Sequence, residues 1–555
     1  MMHRPPSARV SALDVSTFPR FAQGSVDRVV RDWQYVQNRY IPQTGSDLRS
    51  KDEERSVKES HKSDEQWLTD TQRQREALPY AITMFLGSSV SVLFQAIEPL
   101  EVMLSVESLF FIYCAIIKEN WLKHPVKLTE WPHDEFSKDW PKAWGSVLKS
   151  VPDAKSWFSS WFLGPDASFD KIALEDAHSF LSWAMFCTTH AALNEEQRFQ
   201  VSLAAEQIQT FTNSKFLPRR KGAEPLRSMR PTILPLRYVH KPLGFYLCTQ
   251  GLFGLALSLE LKNMGFTEHE FGDFRYFLFR SPSSSSKAPI FFWHGVGGLA
   301  AYLPLVKGLS AFGRDVIVVE MPYVSLHVAP NVPTIAAHTE LFSQVMDRHF
   351  GEGKKAVLIG HSWGSNVVSW LVKSYGKERI ASAAFLDPVC FMLHLDAITR
   401  SWFFSRDAQP PTPYSEEQLG AKAKKEPPLV SVASLVSLVK TELFVVNALQ
   451  RPLVWFRNTL FAENLQDAGI PSLVVVSDKD HIVPHRAVFE HVTAHEKGCI
   501  DRGEKPLVHV ESLADSDHGG LVFDESQRTR ALQMLEGALL QSESSAPTKR
   551  PRVIV

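Results

Sequence analysis

The chain has no excess of charge of either sign. Its 555 residues include 60 lysines and arginines against 61 aspartates and glutamates, which leaves a formal net charge of -1. A protein that binds nucleic acid or an anionic membrane through charge alone carries a basic excess. Neither charge-driven function is indicated, and we expect no nucleic-acid partner.

Cysteine is scarce, and sequence signals for export are missing. The five cysteines are widely spaced, with no CxxC or zinc-like Cys/His pattern, and no Asn-x-Ser/Thr acceptor occurs. Residues 1–21 lack the apolar core of a secretory signal. These absences favour buried thiols in a reducing compartment over a disulfide framework. We expect either a membrane-associated protein with its active domain on the cytoplasmic side or a soluble cytoplasmic protein.

The first half of the chain changes from polar to apolar near residue 77. Residues 1–76 are predicted to be polar and partly disordered, and the tail 546–555 is predicted to be disordered. Residues 77–268 are predicted to be mainly helical. Within them, residues 80–117 hold two apolar runs near the lower length limit for crossing about 30 Å of hydrocarbon. A membrane hairpin and a buried helical core are both open interpretations.

Local patterns support the helical prediction. Four apolar residues recur at the spacing of one helical face, namely Leu174, Ala177, Leu181 and Ala184. Asn194 with Gln197 three positions later fits a capping box that begins a helix. Gly265 is placed to end the apolar segment 243–265. We expect that segment to be a packed helix rather than a third membrane contact.

From about residue 271, short apolar runs alternate with helical stretches. Uniformly apolar runs are typical of strands that are covered on both faces. The alternation predicts a mostly parallel sheet in an α/β domain over residues 270–545. The predicted strands cover residues 274–280, 289–295, 315–322, 356–362, 382–388, 472–478 and 506–512.

One serine lies between two glycines at the end of a predicted strand. Residues 360–364 read Gly-His-Ser-Trp-Gly, after the apolar run 356–359 and before a helix-like stretch. This G-x-S-x-G pattern predicts a sharp strand-to-helix turn that lifts the Ser362 hydroxyl above the sheet. The pattern alone is weak, but its position after a buried strand strengthens the interpretation. Ser362 is the candidate nucleophile.

A serine hydroxyl needs a base and an acid that orients the base. His518 follows the last predicted strand, and Asp480 follows the strand before it, so both are expected at the carboxyl ends of strands. This order of serine, acid and histidine is the one expected for such a sheet. Asp387, near the end of the predicted strand 382–388, is the alternative acid.

The third requirement is a pair of backbone donors for an oxyanion. The amide of Trp363, directly after the serine, is one candidate. The other is expected in the glycine-rich loop 294–298, where Val296 is the first choice and Gly295 the second. Glycines there would let the backbone approach a substrate closely.

The motifs at these positions resemble those of the α/β-hydrolase superfamily. The resemblance rests on "PIFFWHGVGG", "AVLIGHSWGS", "LVVVSDKDHIVP" and "DSDHGG" and covers roughly residues 270–545. More loosely, the helical extension is similar to that of large fungal and algal α/β-hydrolases. The resemblance implies an eight-stranded, mostly parallel sheet and a triad of Ser362, Asp480 and His518.

The apolar helical segment at about 389–470 occupies the place where family members commonly carry a cap. Its composition suggests an apolar wall, although it could equally serve only to pack the cap. We therefore expect a serine hydrolase that cleaves a carboxylic ester or related acyl bond of a small apolar or lipid-like substrate, without a metal or organic cofactor. An acyltransferase and a catalytically idle membrane-bound interaction module are the alternatives.

Overall fold

Parallel pairing dominates the central sheet. In a computed structural model of the protein, eight strands lie in the order β1-β2-β4-β3-β5-β6-β7-β8. β1 pairs with β2, and β2 with β4, in antiparallel fashion, and the remaining pairs are parallel. The strands, in chain order, are Phe266–Phe271, Phe274–Phe279, Ile290–Trp293, Val316–Glu320, Ala356–His361, Ile380–Leu386, Ser472–Ser477 and Val508–Leu513.

The structure describes residues 98–123, 144–147, 150–151, 153–164, 167–283, 287–404 and 432–544. The predicted segments 1–76 and 546–555, the first run of the predicted hairpin, and residues 405–431 of the predicted cap lie outside these ranges.

The predicted mostly parallel α/β fold is confirmed, and each of the seven predicted strands is present. β1 was not predicted. Three of its six residues are exposed, and it lies at an edge of the sheet. Its polar residues are Thr267, Glu268, His269 and Glu270. An edge strand with polar residues lacks the continuous apolar run that marks an interior strand.

Helices cover both faces of the sheet and form the segment before it. Those described, α1 to α16 in chain order, are Glu98–Lys123, Ala154–Ser160, Leu174–Phe186, Glu195–Thr212, Leu243–Asn263 with a π-helical part at Leu247–Leu252, Leu303–Ser310, Ile335–Phe350, Gly364–Arg379, Ala397–Phe403, Val432–Lys440, Leu443–Gln450, Trp455–Asn458, Ala462–Asp467, His485–Asp501, Gly520–Phe523 and Glu525–Ser544. Short 3₁₀ turns lie at Phe169–Lys171, His190–Ala192, Leu299–Tyr302 and Pro322–Val324.

Alternate residues of the inner strands divide between two apolar clusters. In β3, Phe291 and Trp293 belong to the cluster on one face of the sheet, and Ile290 and Phe292 belong to the other. This alternation is the period of two that a pleated strand imposes. Because both faces are covered, the interior strands contain no polar face, which explains their uniform composition.

Three local predictions for the helical segment are confirmed. Asn194 caps α4 and accepts a hydrogen bond from the amide of Gln197, whose side chain bonds back to Asn194. α3 buries three residues of the predicted face, Ala177, Leu181 and Ala184, while the fourth, Leu174, is half-buried. Gly265, with φ of 91°, follows the end of α5.

α5 is not the packed helix that the sequence suggested. It buries Leu257 and Leu261, but Leu252 and Phe253 are more than 60% exposed. Among the described helices, α5 is long and apolar enough to cross a membrane, and only 17% of its most apolar window is buried. Its composition resembles that of a core helix, and only the tertiary structure reveals that no other described element covers its outer face.

The helical segment packs against the segment between β6 and β7. The indole nitrogens of Trp157 and Trp161 both donate to the carbonyl oxygen of His394, at 2.7 and 3.1 Å. In the opposite direction, Trp455 Nε1 donates to the carbonyl oxygen of Ala184 at 2.8 Å. These buried bonds tie α2 and α3 to the helices that stand above the carboxyl ends of the strands.

Candidate active site

Ser362 occupies the predicted turn between β5 and α8. Its φ is +51°, in the left-handed region that non-glycine residues seldom adopt. The strain is held in place because the Ser362 amide donates to the carbonyl oxygen of Leu386 in β6, at 3.0 Å. The side chain is 5% exposed and lines a cavity at the carboxyl ends of the strands.

The two glycines that flank the turn are required by close backbone contacts. A Cβ added at Gly360 would lie 2.6 Å from the carbonyl oxygen of Gly364, and one added at Gly364 would lie 2.1 Å from the carbonyl oxygen of Trp293. Both distances are far below ordinary van der Waals contact. A side chain at either position would clash with the backbone, which explains why glycine occurs on both sides of the turn.

His518 and Asp480 join Ser362 in one hydrogen-bonded chain. His518 Nε2 lies 2.8 Å from Ser362 Oγ, and His518 Nδ1 lies 2.7 Å from Asp480 Oδ2. The other Asp480 oxygen accepts from the amides of Ile482 and Val483, at 2.7 and 2.9 Å. Those two amides orient the carboxylate, and the carboxylate orients the imidazole. The structure thus brings together the three residues that the sequence singled out.

Asp480 and His518 each stabilise the charged form of the other. Burial by itself would lower the pKa of His518, but the charge of Asp480 and its hydrogen bond raise that pKa above the ordinary value. Burial likewise opposes ionisation of Asp480, whereas His518 and the two backbone amides hold the pKa of Asp480 below its ordinary value. An ionised acid next to a basic imidazole is the electrostatic arrangement that general-base catalysis needs.

Asp387, the alternative acid, lies near the imidazole but is engaged elsewhere. Its oxygens accept from the backbone amide and the hydroxyl of Ser477, at 2.7 and 2.9 Å. Burial raises its pKa. Oxygens of both carboxylates and a nitrogen of His518 lie within 4.8 Å of one another, a spacing that could hold a metal. Asp480 already occupies His518 Nδ1 and Ser362 faces Nε2, so these contacts account for the imidazole without an ion.

Two backbone amides flank the hydroxyl without a protein acceptor. Neither the Val296 nor the Trp363 amide donates to another group in the described part of the chain. Both residues line the cavity beside Ser362. The second-choice donor, Gly295, is excluded because its amide donates to Tyr302 Oη at 3.0 Å. A side chain does not fit at Gly295, since a Cβ there would lie 2.6 Å from Tyr302 Oη and 2.9 Å from Ser362 Cβ.

The comparisons agree with this geometry. Residues 288–504 match the family described as the alpha/beta hydrolase fold. This part of the chain has the α/β-hydrolase fold. The match spans five of the eight strands, β3 to β7, and ends before β8, which His518 follows in the chain.

Solved structures that resemble the α/β-hydrolase domain share little sequence with it. A bacterial membrane phospholipase A, described as a virulence factor, is 14% identical, covers 54% of this chain and 94% of its own, and has a TM-score of 0.39. A carboxylesterase of Bacillus subtilis is 14% identical over 52% and 99% of the two chains, with a TM-score of 0.32. A thermophilic esterase of Thermogutta terrifontis is 16% identical over 50% and 98%, with a TM-score of 0.34. No curated protein sequence matches the chain.

The α/β-hydrolase domain holds a polar pair beneath the site that sequence reasoning missed. Tyr302 Oη accepts from the Gly295 amide at 3.0 Å and shares a hydrogen bond of 2.8 Å with His361 Nδ1. The other ring nitrogen of His361, Nε2, lies 3.8 Å from Asp387 Oδ2. Tyr302 lies seven residues after Gly295, in the helical turn Leu299–Tyr302, and no local pattern indicates this contact.

His294, the first residue of the glycine-rich loop, is structural. Its Nε2 accepts from the amide of Met321 at 3.0 Å, so the proton on Nδ1 donates to the carbonyl oxygen of Gly295 at 2.7 Å. Burial lowers the pKa of His294 to about 4, which keeps the ring neutral at physiological pH. The ring thereby links β4 to the loop that carries Val296.

The cavity above Ser362 is open to solvent, and its volume of about 440 Å³ includes the solvent-filled mouth. Its wall is largely apolar and comes from the loop after β3, the start of α8 and the helices between β6 and β7. The lining residues are Val296, Ser362, Trp363, Asn366, Val389, Leu393, Ile398, Trp402, Phe403, Leu449, Leu453 and Ile482.

Proposed function

We propose that the protein is a serine hydrolase that cleaves a carboxylic ester or a related acyl bond through an acyl-enzyme. The observation that carries the proposal is the unbroken chain of hydrogen bonds from Asp480 through His518 to the strained Ser362. A hydroxyl held in this way by a neutral imidazole can be deprotonated as it attacks a carbonyl carbon.

In the first step, Ser362 Oγ attacks the substrate carbonyl while His518 Nε2 accepts the hydroxyl proton. The imidazolium that forms is stabilised by the carboxylate of Asp480, which stays ionised. Negative charge develops on the carbonyl oxygen, and the amides of Val296 and Trp363 can donate to it. A donor of this kind contributes about 3 kcal/mol of transition-state stabilisation.

In the second step, His518 gives the proton to the departing alcohol, and an ester of Ser362 with the acyl group is left. Water then enters, loses a proton to His518 and attacks the acyl carbon, which releases the acid and restores the serine. If an alcohol or thiol enters instead of water, the same residues perform acyl transfer. The nature of the acceptor separates these two reactions.

The cavity wall supports an apolar acyl group as substrate. Leu393 and Ile398 approach it from the segment after β6, and Leu449 and Leu453 approach it from α11 and the turn beyond. These side chains can bury a hydrocarbon chain that leads away from Ser362, and each buried methylene contributes about 0.8 kcal/mol. We therefore propose a lipid-like or medium-chain ester.

Labelling with a fluorophosphonate probe tests the assignment. We expect stoichiometric modification of the wild type and none of Ser362→Ala. Ser369→Ala is the matched control, since Ser369 is a buried serine of α8, the helix after the turn, and its hydroxyl donates to the carbonyl oxygen of Asn458. Wild type that resists the probe and hydrolyses no ester would favour the idle interaction module. Product analysis with added alcohol distinguishes hydrolysis from acyl transfer.

We also propose that α1 and α5 contact a lipid surface. Of the large apolar side chains that are exposed, six lie on α1 and five on α5, more than on all other described elements together. α1 is apolar on both sides, since it buries Phe110 and Cys114 while Val106 and Leu109 are exposed. A helix with apolar residues on both sides requires apolar surroundings on its outer side as well, which applies to α1. The length and composition of α5 are those of a helix that can cross a bilayer.

The two helices are joined to each other and to the cavity wall. Glu107 of α1 accepts from the amide of Leu243 at 2.7 Å, and Phe110 packs against Tyr246. Tyr246 donates to Glu442, whose carboxylate also caps the start of α11. α11 supplies Leu449 to the cavity. These contacts would thus connect a lipid surface at α1 and α5 to the cavity beside Ser362.

A further inference from the structure

Asn366 is a buried amide next to the nucleophile with no hydrogen-bond partner. It lies about one helical turn beyond Ser362, near the start of α8, and its residue surface is 0% exposed. Neither Nδ2 nor Oδ1 contacts a protein donor or acceptor among the described residues. The side chain is part of the cavity wall.

An unsatisfied side-chain amide in an apolar environment is rare, because it gives up hydrogen bonds to water without replacement. Most of the residues that line the cavity are aliphatic or aromatic and cannot form a hydrogen bond with the Asn366 amide. Two other wall residues have the same character: the indole nitrogens of Trp363 and Trp402 are buried and have no acceptor among the described residues. Three residues in the wall of one apolar cavity thus carry polar groups without partners in the described part of the chain.

We propose that Asn366 determines specificity by binding a polar group on the acyl part of the substrate. This inference rests on the proposed function and names its substrate class: an apolar acyl group that carries one neutral hydrogen-bonding group, such as a hydroxyl, a few bonds from the scissile carbonyl. A hydroxyl fits because it both donates and accepts, as the amide of Asn366 does. None of the wall residues is charged, so an ionised group is disfavoured.

The distance from the nucleophile limits where the polar group can be. Asn366 follows Ser362 by four residues, and both residues line the same cavity. A group bound by Asn366 while Ser362 attacks therefore belongs near the carbonyl and not at the far end of a long chain. Trp402 supplies a further donor within the same cavity.

Hydrolysis of a matched ester pair tests the inference. We would compare p-nitrophenyl butyrate with p-nitrophenyl 3-hydroxybutyrate, using wild type, Asn366→Leu and Asn458→Leu. Wild type should prefer the hydroxy ester by about tenfold or more in kcat/KM, because a site built to bind a hydroxyl is left unpaired by the analogue that lacks it. Asn366→Leu, which is similar in size, should lose that preference.

Asn458 provides the matched control because its amide is satisfied. Its Oδ1 accepts from Trp370 Nε1 at 3.0 Å, and its Nδ2 donates to the carbonyl oxygen of Val454 at 2.8 Å. Asn458→Leu should lower the Tm and leave the ester preference unchanged. Asn366→Leu should raise the Tm, because it removes an unpaired amide from an apolar site. A purely structural role for Asn366 predicts a lower Tm instead.

An unchanged ester preference in Asn366→Leu, or a fall in its Tm like that of Asn458→Leu, would overturn the inference. If no ester is hydrolysed, stabilisation by the free acids still decides it. In the Ser362→Ala background, 3-hydroxybutyric acid should raise the Tm more than butyric acid, and Asn366→Leu should abolish the difference. Fluorophosphonate labelling reports separately on the proposed function, so the two failures are distinguishable.

Discussion

Asp387 Oδ1 accepts a hydrogen bond from the backbone amide of Ser477 at 2.7 Å, across the boundary between β6 and β7. Asp387 also has a φ of +40° and is fully buried. The contact directs this carboxylate toward the end of β7 and away from His518 Nδ1, which Asp480 occupies. Asp387 and Asp480 thus follow adjacent strands but have different partners: Asp387 bonds Ser477, and Asp480 bonds His518.

This division predicts unequal effects of removing the two charges. Asp480→Asn should reduce kcat by about 10³–10⁴-fold, because the imidazole loses the acceptor that fixes its tautomer and orientation. Asp387→Asn should retain kcat within about tenfold, since an amide can still pair with Ser477. Steady-state hydrolysis of a soluble ester measures both. A larger loss in Asp387→Asn than in Asp480→Asn would reverse the assignment.

The raised pKa of His518 predicts a specific acid limb in the pH profile. The neutral imidazole is the active form, so kcat/KM should rise with pH and reach half its plateau above the ordinary histidine value of about 6.5. Asp480 causes the elevation, so Asp480→Asn should move the midpoint to lower pH while the plateau falls. A midpoint that stays in place in this variant would mean that Asp480 does not interact with the ionising group.

The close contacts at the serine turn predict a severe effect of adding one methyl group. Gly364→Ala places Cβ 2.1 Å from the carbonyl oxygen of Trp293, so the backbone of α8 or β3 must shift. We expect the free energy of unfolding to fall by about 3 kcal/mol, measured by urea denaturation. Gly537→Ala is the control, because nothing lies within 4 Å of its added Cβ in α16. It should gain about 1 kcal/mol from helix propensity.

The proposed lipid contact predicts a loss of vesicle binding without a loss of chemistry. Leu252→Glu combined with Leu255→Glu introduces two charges on the exposed face of α5. Cosedimentation with phosphatidylcholine vesicles should weaken at least tenfold, because charged groups resist transfer out of water. Hydrolysis of a short soluble ester should stay unchanged. The pair Phe523→Glu and Leu540→Glu, also at exposed apolar positions, should bind vesicles like wild type. Equal loss in both pairs would indicate a nonspecific effect of charge.

Sequence reasoning succeeded where the chemistry depends on local pattern. The turn at Ser362 follows from two glycines between an apolar run and a helix, and the capping of α4 by Asn194 follows from four consecutive residues. It was less successful where the secondary structure or packing of a segment depends on which of its residues are buried in the folded protein. β1 was missed because an edge strand tolerates polar residues, and α5 was expected to be packed because its composition equals that of a core helix.

The sequence by itself determined the parallel sheet and the positions of Ser362, Asp480 and His518, because strand burial, the serine turn and the order of strand ends are encoded in short segments. The tertiary structure alone decided that Asp480 rather than Asp387 bonds His518, that Tyr302 occupies the Gly295 amide, and that Asn366 faces the cavity unpaired. These outcomes depend on distances between residues far apart in the chain, which no local pattern specifies.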